Sequence, residues 1–168
     1  LFRSVRETDM SFLADRDLSK QALNAVKKYR KFIEQFTELR PDFLTALSPI
    51  DLPAPDIAAA PDIIKRMIAA SKKANVGPMA GVAGAIAEFA GKDLLMFSEN
   101  IVAENGGDIF MRTVSDKKVG IYAGASSLSG RITVCVSRDD MPLGISTSSG
   151  TVGHSLSFGA ADAVVEVL

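Results

Sequence analysis

The sequence predicts an α+β domain. Three observations carry that expectation: helical periodicity dominates as far as Ala90, short strand-like runs follow Ser98, and the two kinds of segment are segregated rather than alternated as in a βαβ repeat. With 168 residues, 47% hydrophobic and 23% charged, the chain can bury one sizeable core but not two. We read 1–168 as a single domain, with N-terminal strands and helices in 1–75 and a motif-bearing part in 76–168.

The first stretch reads as a strand pair, Phe2 and Val5 before a polar turn at Glu7 to Asp9 and Phe12 and Leu13 after it. From Asp17 the pattern changes. Leu18, Ala22, Val26, Tyr29, Ile33 and Phe36 recur every three or four residues while Lys20, Asn24, Lys28 and Lys31 fill the other face. This predicts an amphipathic helix with a solvated lysine face, capped by Asp17 or Ser19 and ended before Pro41. Pro49, Pro53, Pro55 and Pro61 predict that residues 48–61 form mostly an extended surface linker. Pro61 then sits in the first turn of a second helix carrying Ile63, Ile64, Met67, Ile68 and Ala70, which Asn75 and Gly77 end.

Gly77 to Ala90 predicts a third helix built from small residues, its first charge being Glu88. Gly costs a helix interior ~1 kcal/mol relative to Ala, so Gly81 and Gly84 need a reason. Two are available: tight packing on a sheet, or a ligand against the helix backbone. Strands follow at Ile101 to Glu104, Asp108 to Thr113, Val119 to Ala123, Arg131 to Val136 and Ala163 to Leu168.

A net charge of -1 leaves no global positive field to collect nucleic acid or anionic lipid. One cysteine, Cys135, excludes an intrachain disulfide and cysteine-cluster metal sites, and suits a reducing, cytoplasmic compartment. Neither uncharged run spans a bilayer, because Ala74 to Ala87 falls short of ~20 apolar residues and Met141 to Ala161 is rich in Ser, Thr and Gly. The chain opens with Leu1 and stops at Leu168 within a strand-like run, so both ends are expected to be cut.

Two segments could carry chemistry. In NGGDIF, Asn105 to Phe110, Asn-Gly is a hairpin signal; alternatively the paired glycines offer backbone N–H groups to a ligand while Asp108 binds a hydroxyl or a metal. In STSSGTVGHS, Ser146 to Ser155, six residues carry hydroxyls, and no basic residue is present. That is either a self-capping solvated turn or a phosphate loop needing a divalent cation. His154 is read as a structural or ligand-contacting residue, since GISTSSG lacks the nucleophile elbow and no acid is identifiable to orient the imidazole.

In this order, VGPMAGVAGAIAEF, NGGDIF and TSSGTVGHSLSFGAADAV resemble the ApbE superfamily, whose founding activity is FAD:protein FMN transfer, and most closely its uncharacterised branch. The resemblance covers roughly residues 76–168. It implies an antiparallel sheet packed with helices, FAD as ligand and magnesium as cofactor. Ala83 falls where the family supplies a backbone carbonyl to the metal, although Gly84 replaces its Lys and Pro78 its opening Asp. The flavin-binding positions implied are Gly106, Gly107 and Asp108, then Thr147, Ser148, Ser149 and Gly150, then His154. The Ala161-Asp162-Ala163 run imitates the metal motif, but Glu166 stands where a Thr is required, so that motif is expected beyond Leu168.

The resemblance implies a flavin- or nucleotide-binding protein, with magnesium-dependent transfer of FMN from FAD to a Thr or Ser of an acceptor protein as its enzymatic form. No catalytic residue is assigned. The alternative is a non-transferase accessory protein of sulfur or amino-acid metabolism holding another anionic ligand in the same pocket. Either way the turn at 105–108 and the segment 146–155 are expected on one rim, beside the small-residue helix.

Overall fold

The structure, a computed structural model, describes residues 2–5, 8–127, 129–148 and 164–167. β1 (Phe2–Val5) and β2 (Thr8–Ala14) are followed by α1 (Ser19–Leu39), α2 (Pro41–Thr45), α3 (Ala54–Ala59) and α4 (Asp62–Ala74). A 3-10 turn at Pro78–Gly81 leads into α5 (Val82–Leu94). The remaining strands are β3 (Ile101–Asn105), β4 (Asp108–Arg112), β5 (Lys117–Gly120), β6 (Thr133–Val136), β7 (Leu143–Ser148) and β8 (Val164–Val167). The fold is α+β, with a six-stranded antiparallel sheet in the order β1-β2-β3-β4-β7-β8 and a two-stranded ribbon, β5-β6.

α1 forms where the heptad-like pattern predicts it. Its N-cap is Leu18 rather than Asp17 or Ser19, while Asp17 Oδ1 accepts from the Ser19 N–H at 2.9 Å and so satisfies one of the orphan donors of the first turn. The helix buries Ala22, Ala25, Val26, Tyr29 and Ile33 on one stripe. Lys28 is not merely solvated: it pairs with Asp93 of α5 at 2.9 Å, and Asp93 also accepts from the Tyr29 hydroxyl at 2.9 Å. α4 ends as predicted at Asn75, whose φ of 54° turns the chain into the left-handed region.

α5 is the centre of the molecule. It packs against α1 on one side and against β3 and β4 on the other. Ala85, Ile86, Ala87, Ala90, Gly91 and Leu94 are buried there. The small residues answer a packing demand, most clearly at Gly91, where a Cβ would lie 2.8 Å from Cε1 of the buried Phe110 ring. A second, smaller core of Met111, Val136, Leu143 and Ile145 includes the ribbon strand β6.

Three expectations need correction. Residues 48–61 are not mostly extended linker: Ala54–Ala59 is helical, and Leu52 and Ala60 are buried. Pro53 and Pro55 are tolerated because they sit at the cap and in the first turn, where an amide has no intrahelical acceptor to lose. The small-residue helix begins at Val82 after a 3-10 turn rather than at Gly77. Ser146, Thr147 and Ser148 belong to strand β7 rather than to a loop. β7 alternates buried Leu143 and Ile145 with half-buried neighbours, and its pairing with β4 and β8 satisfies the backbone that a free loop would have offered to a ligand.

Candidate functional site

The site is built where three elements converge: the β3–β4 hairpin, the first turn of α5 and strand β7. The hairpin follows from its sequence. Gly106 and Gly107 take φ of 61° and 99°, which side chains resist, while Asn105 and Asp108 pair across the turn. The hairpin reading of NGGDIF therefore holds. Glu104 Oε1 accepts from the Gly107 N–H at 2.8 Å, and Thr147 Oγ1 donates to the Gly107 carbonyl. Of the two glycine N–H groups that the ligand reading offers, that of Gly107 is therefore already taken by Glu104.

Asp108 is the hub. Ser146 Oγ donates to its Oδ1 at 2.8 Å, and the main-chain N–H groups of Gly84 and Thr147 point to the same carboxylate. Burial pushes its carboxyl above the ordinary 3.8, with neighbouring Glu104 adding to the push and the three donors opposing it. Gly84 faces this carboxylate: a Cβ there would lie 3.3 Å from Asp108 Oδ2, so the residue answers to Asp108 and not to an open pocket.

The third link is Asn105, whose Nδ2 donates to the carbonyl oxygen of Ala83 at 3.0 Å. Both residues line a cleft of about 440 Å³ between α1, the start of α5 and the ends of β2 and β3. Apolar walls come from Ile33, Met79, Val82 and Ile86, and polar groups from Thr8, Arg30, Glu34 and Thr37. Arg30 donates to Thr8 Oγ1 through Nη1 and to Glu34 Oε1 at 3.1 Å through Nη2. A second groove of about 410 Å³, on the other side of α1 and including Gln35 and Phe36, is largely apolar.

Of the predicted positions, the structure brings Ala83, Gly106, Gly107, Asp108 and Thr147 into one neighbourhood, with Ser148 at the exposed end of β7. Ser149, Gly150 and His154 lie outside the described residues. Sequence reasoning missed Arg30 and treated Asn105 as a turn residue only. The signals were present: Arg30 falls four residues after Val26 and three before Ile33, at the edge of the apolar stripe. Asn105 occupies the core-facing phase of β3 shared with buried Ile101 and Ala103.

Few oxygens here are open to a magnesium ion. Ala83 offers one carbonyl oxygen, already accepting Asn105, and Asp108 is turned to three protein donors. Among the described residues no group of three or more His, Cys, Asp or Glu could hold an ion. These residues alone do not fit a magnesium ion, which takes near-octahedral oxygen ligands.

The fold and cleft define an α+β protein with helices laid on an antiparallel sheet and a half-apolar pocket at the helix start. The chain belongs to the family described as "AbpE bacteria", which matches residues 2–168. It is 43% identical over 166 residues to a UPF0280 protein of Methanococcus aeolicus, covering 96% of this chain and 65% of that protein. It is 42% identical over 163 residues to UPF0280 proteins of Methanocaldococcus jannaschii and Methanospirillum hungatei, in each case 95% of this chain and 64% of the relative. The chain thus spans just under two thirds of the length of these relatives. No helix among the described residues is long and apolar enough to cross a membrane.

Proposed function

We propose that this chain forms the ligand cleft of an ApbE-like protein of the cytoplasm that binds a flavin or another anionic nucleotide. One observation carries the reading: the hairpin motif and the helix motif meet in the Asn105–Ala83 hydrogen bond, and that bond forms part of the wall of a 440 Å³ cleft. Its volume lies in the range of small-molecule sites, and its mix of apolar walls with a few polar groups is what such sites offer. Arg30 supplies there the positive charge that segment 146–155 lacks.

Binding without transfer is the first reading, because the cleft and the charge of Arg30 support it with no metal ligand set. FMN transfer to an acceptor protein is the second reading, favoured by the Ala83 carbonyl in the cleft wall. Calorimetric titration with FAD, with and without magnesium, tests the proposal. Saturable binding in either condition supports the cleft, a requirement for the metal supports the second reading, and no heat in both conditions refutes the function.

A further inference from the structure

Asn105 is 7% exposed, and the bond from its Nδ2 to Ala83 fixes which end of the amide is the oxygen. Its Oδ1 has no donor among the described residues. A buried amide oxygen left without a hydrogen bond is costly, and such groups in folded proteins ordinarily have a partner. Asn105 lines the cleft, so a ligand there has room to supply a donor to this oxygen.

Arg30 lines the same cleft with its side chain 14% exposed. Thr8 holds one arm of the guanidinium, and Glu34, 41% exposed, takes the other at 3.1 Å. Glu34 can turn to solvent, and an incoming anion then takes its place on a planar fork suited to phosphate or carboxylate.

We infer that the cleft selects a ligand carrying an anionic group beside a hydroxyl or N–H donor, the donor meeting Asn105 Oδ1 and the anion meeting Arg30. A neutral amide at 105 suits this: it accepts the donor without repelling the anion, as an Asp would. The inference rests on the reading of the cleft as the ligand site, and assigns Asn105 and Arg30 as the residues that set specificity.

FMN and riboflavin, which differ by the phosphate, are the probes, titrated calorimetrically. The protein is expected to prefer FMN, Arg30→Gln to abolish that preference, and Asn105→Leu to weaken both by about tenfold. Independently of any variant, the side-chain amide resonances of Asn105 are expected to shift on saturation with FMN, which decides the matter should the Leu variant not fold. FMN binding that leaves the Asn105 amide unmoved, or an Arg30→Gln protein that still prefers FMN, overturns the inference while leaving the cleft as a site. Failure of the unaltered protein to bind either probe overturns the cleft reading itself, and the inference with it.

Discussion

Ser146, on β7, donates through its Oγ to Asp108 Oδ1 at 2.8 Å and so ties that strand to the residue that opens β4. The main-chain N–H groups of Gly84 and Thr147 face the same carboxylate. Replacing Asp108 by Ala leaves these donors unpaired in a half-buried place. Chemical denaturation of Asp108→Ala should show a loss of about 2–3 kcal/mol, more than a surface substitution gives.

The same residue gives a pH dependence of known sign. Burial raises the folded-state value of Asp108 above 3.8, so the native chain keeps this proton to higher pH than the unfolded chain does. Its contribution to stability is full below that unfolded value and is lost as the pH rises through the raised folded one. Asp108→Asn removes the titration. The unfolding free energy of the wild type minus that of the variant should therefore fall as the pH is raised across this window and then level off. A difference that grows with pH would contradict the buried environment of Asp108.

Gly91 tests the packing of α5 on the sheet. A Cβ there would lie 2.8 Å from Phe110 Cε1 and nearer still to Cδ1, and Phe110 is itself 5% exposed with little room to yield. Gly91→Ala is expected to cost about 1–3 kcal/mol by overpacking, despite a helix-propensity gain of up to ~1 kcal/mol. At Gly81 a Cβ meets nothing within 4 Å, and Gly81→Ala should stay within about 1 kcal/mol of the wild type. Thermal melts of the two variants compare them directly.

The contact of α1 with α5 depends partly on Tyr29, whose hydroxyl donates to Asp93 at 2.9 Å. Tyr29→Phe keeps the ring against Phe89, 5.3 Å away centre to centre, and removes this bond together with the one the hydroxyl accepts from Lys28 Nζ at 3.1 Å. A loss of about 0.5–1.5 kcal/mol in denaturant titration is expected.

The elements with strong local signals were legible in the sequence. α1 follows from the spacing of Ala22, Val26, Tyr29 and Ile33, the end of α4 from Asn75, and the β3–β4 hairpin from Asn105, Gly106 and Gly107. β7 was obscured because Ser146, Thr147 and Ser148 look like a loop until β4 and β8 pair with their backbone, a long-range event that no local window contains. α3 was hidden by Pro53 and Pro55, which read as breakers unless they fall at a helix start. The expected rim is seen for the described part of the hydroxyl segment, where Ser146 and Thr147 bond to Asp108 and Gly107, but the cleft was not legible. Arg30 and Asn105 lie 75 positions apart and meet only because α1 and β3 both pack on α5.

The two grooves flanking α1 allow the most direct test that the 440 Å³ cleft is the ligand site. Thr37 lines that cleft and Gln35 the opposite groove, on the same helix and two residues apart. Thr37→Glu and Gln35→Glu add the same charge to the protein, so any global electrostatic effect is shared. Quenching of flavin fluorescence on titration of FMN with each variant should show Thr37→Glu weakened by about tenfold or more, as a like charge a few ångströms from a bound anion requires, with Gln35→Glu close to the wild type. Equal weakening of the two variants, or loss confined to Gln35→Glu, would contradict the account.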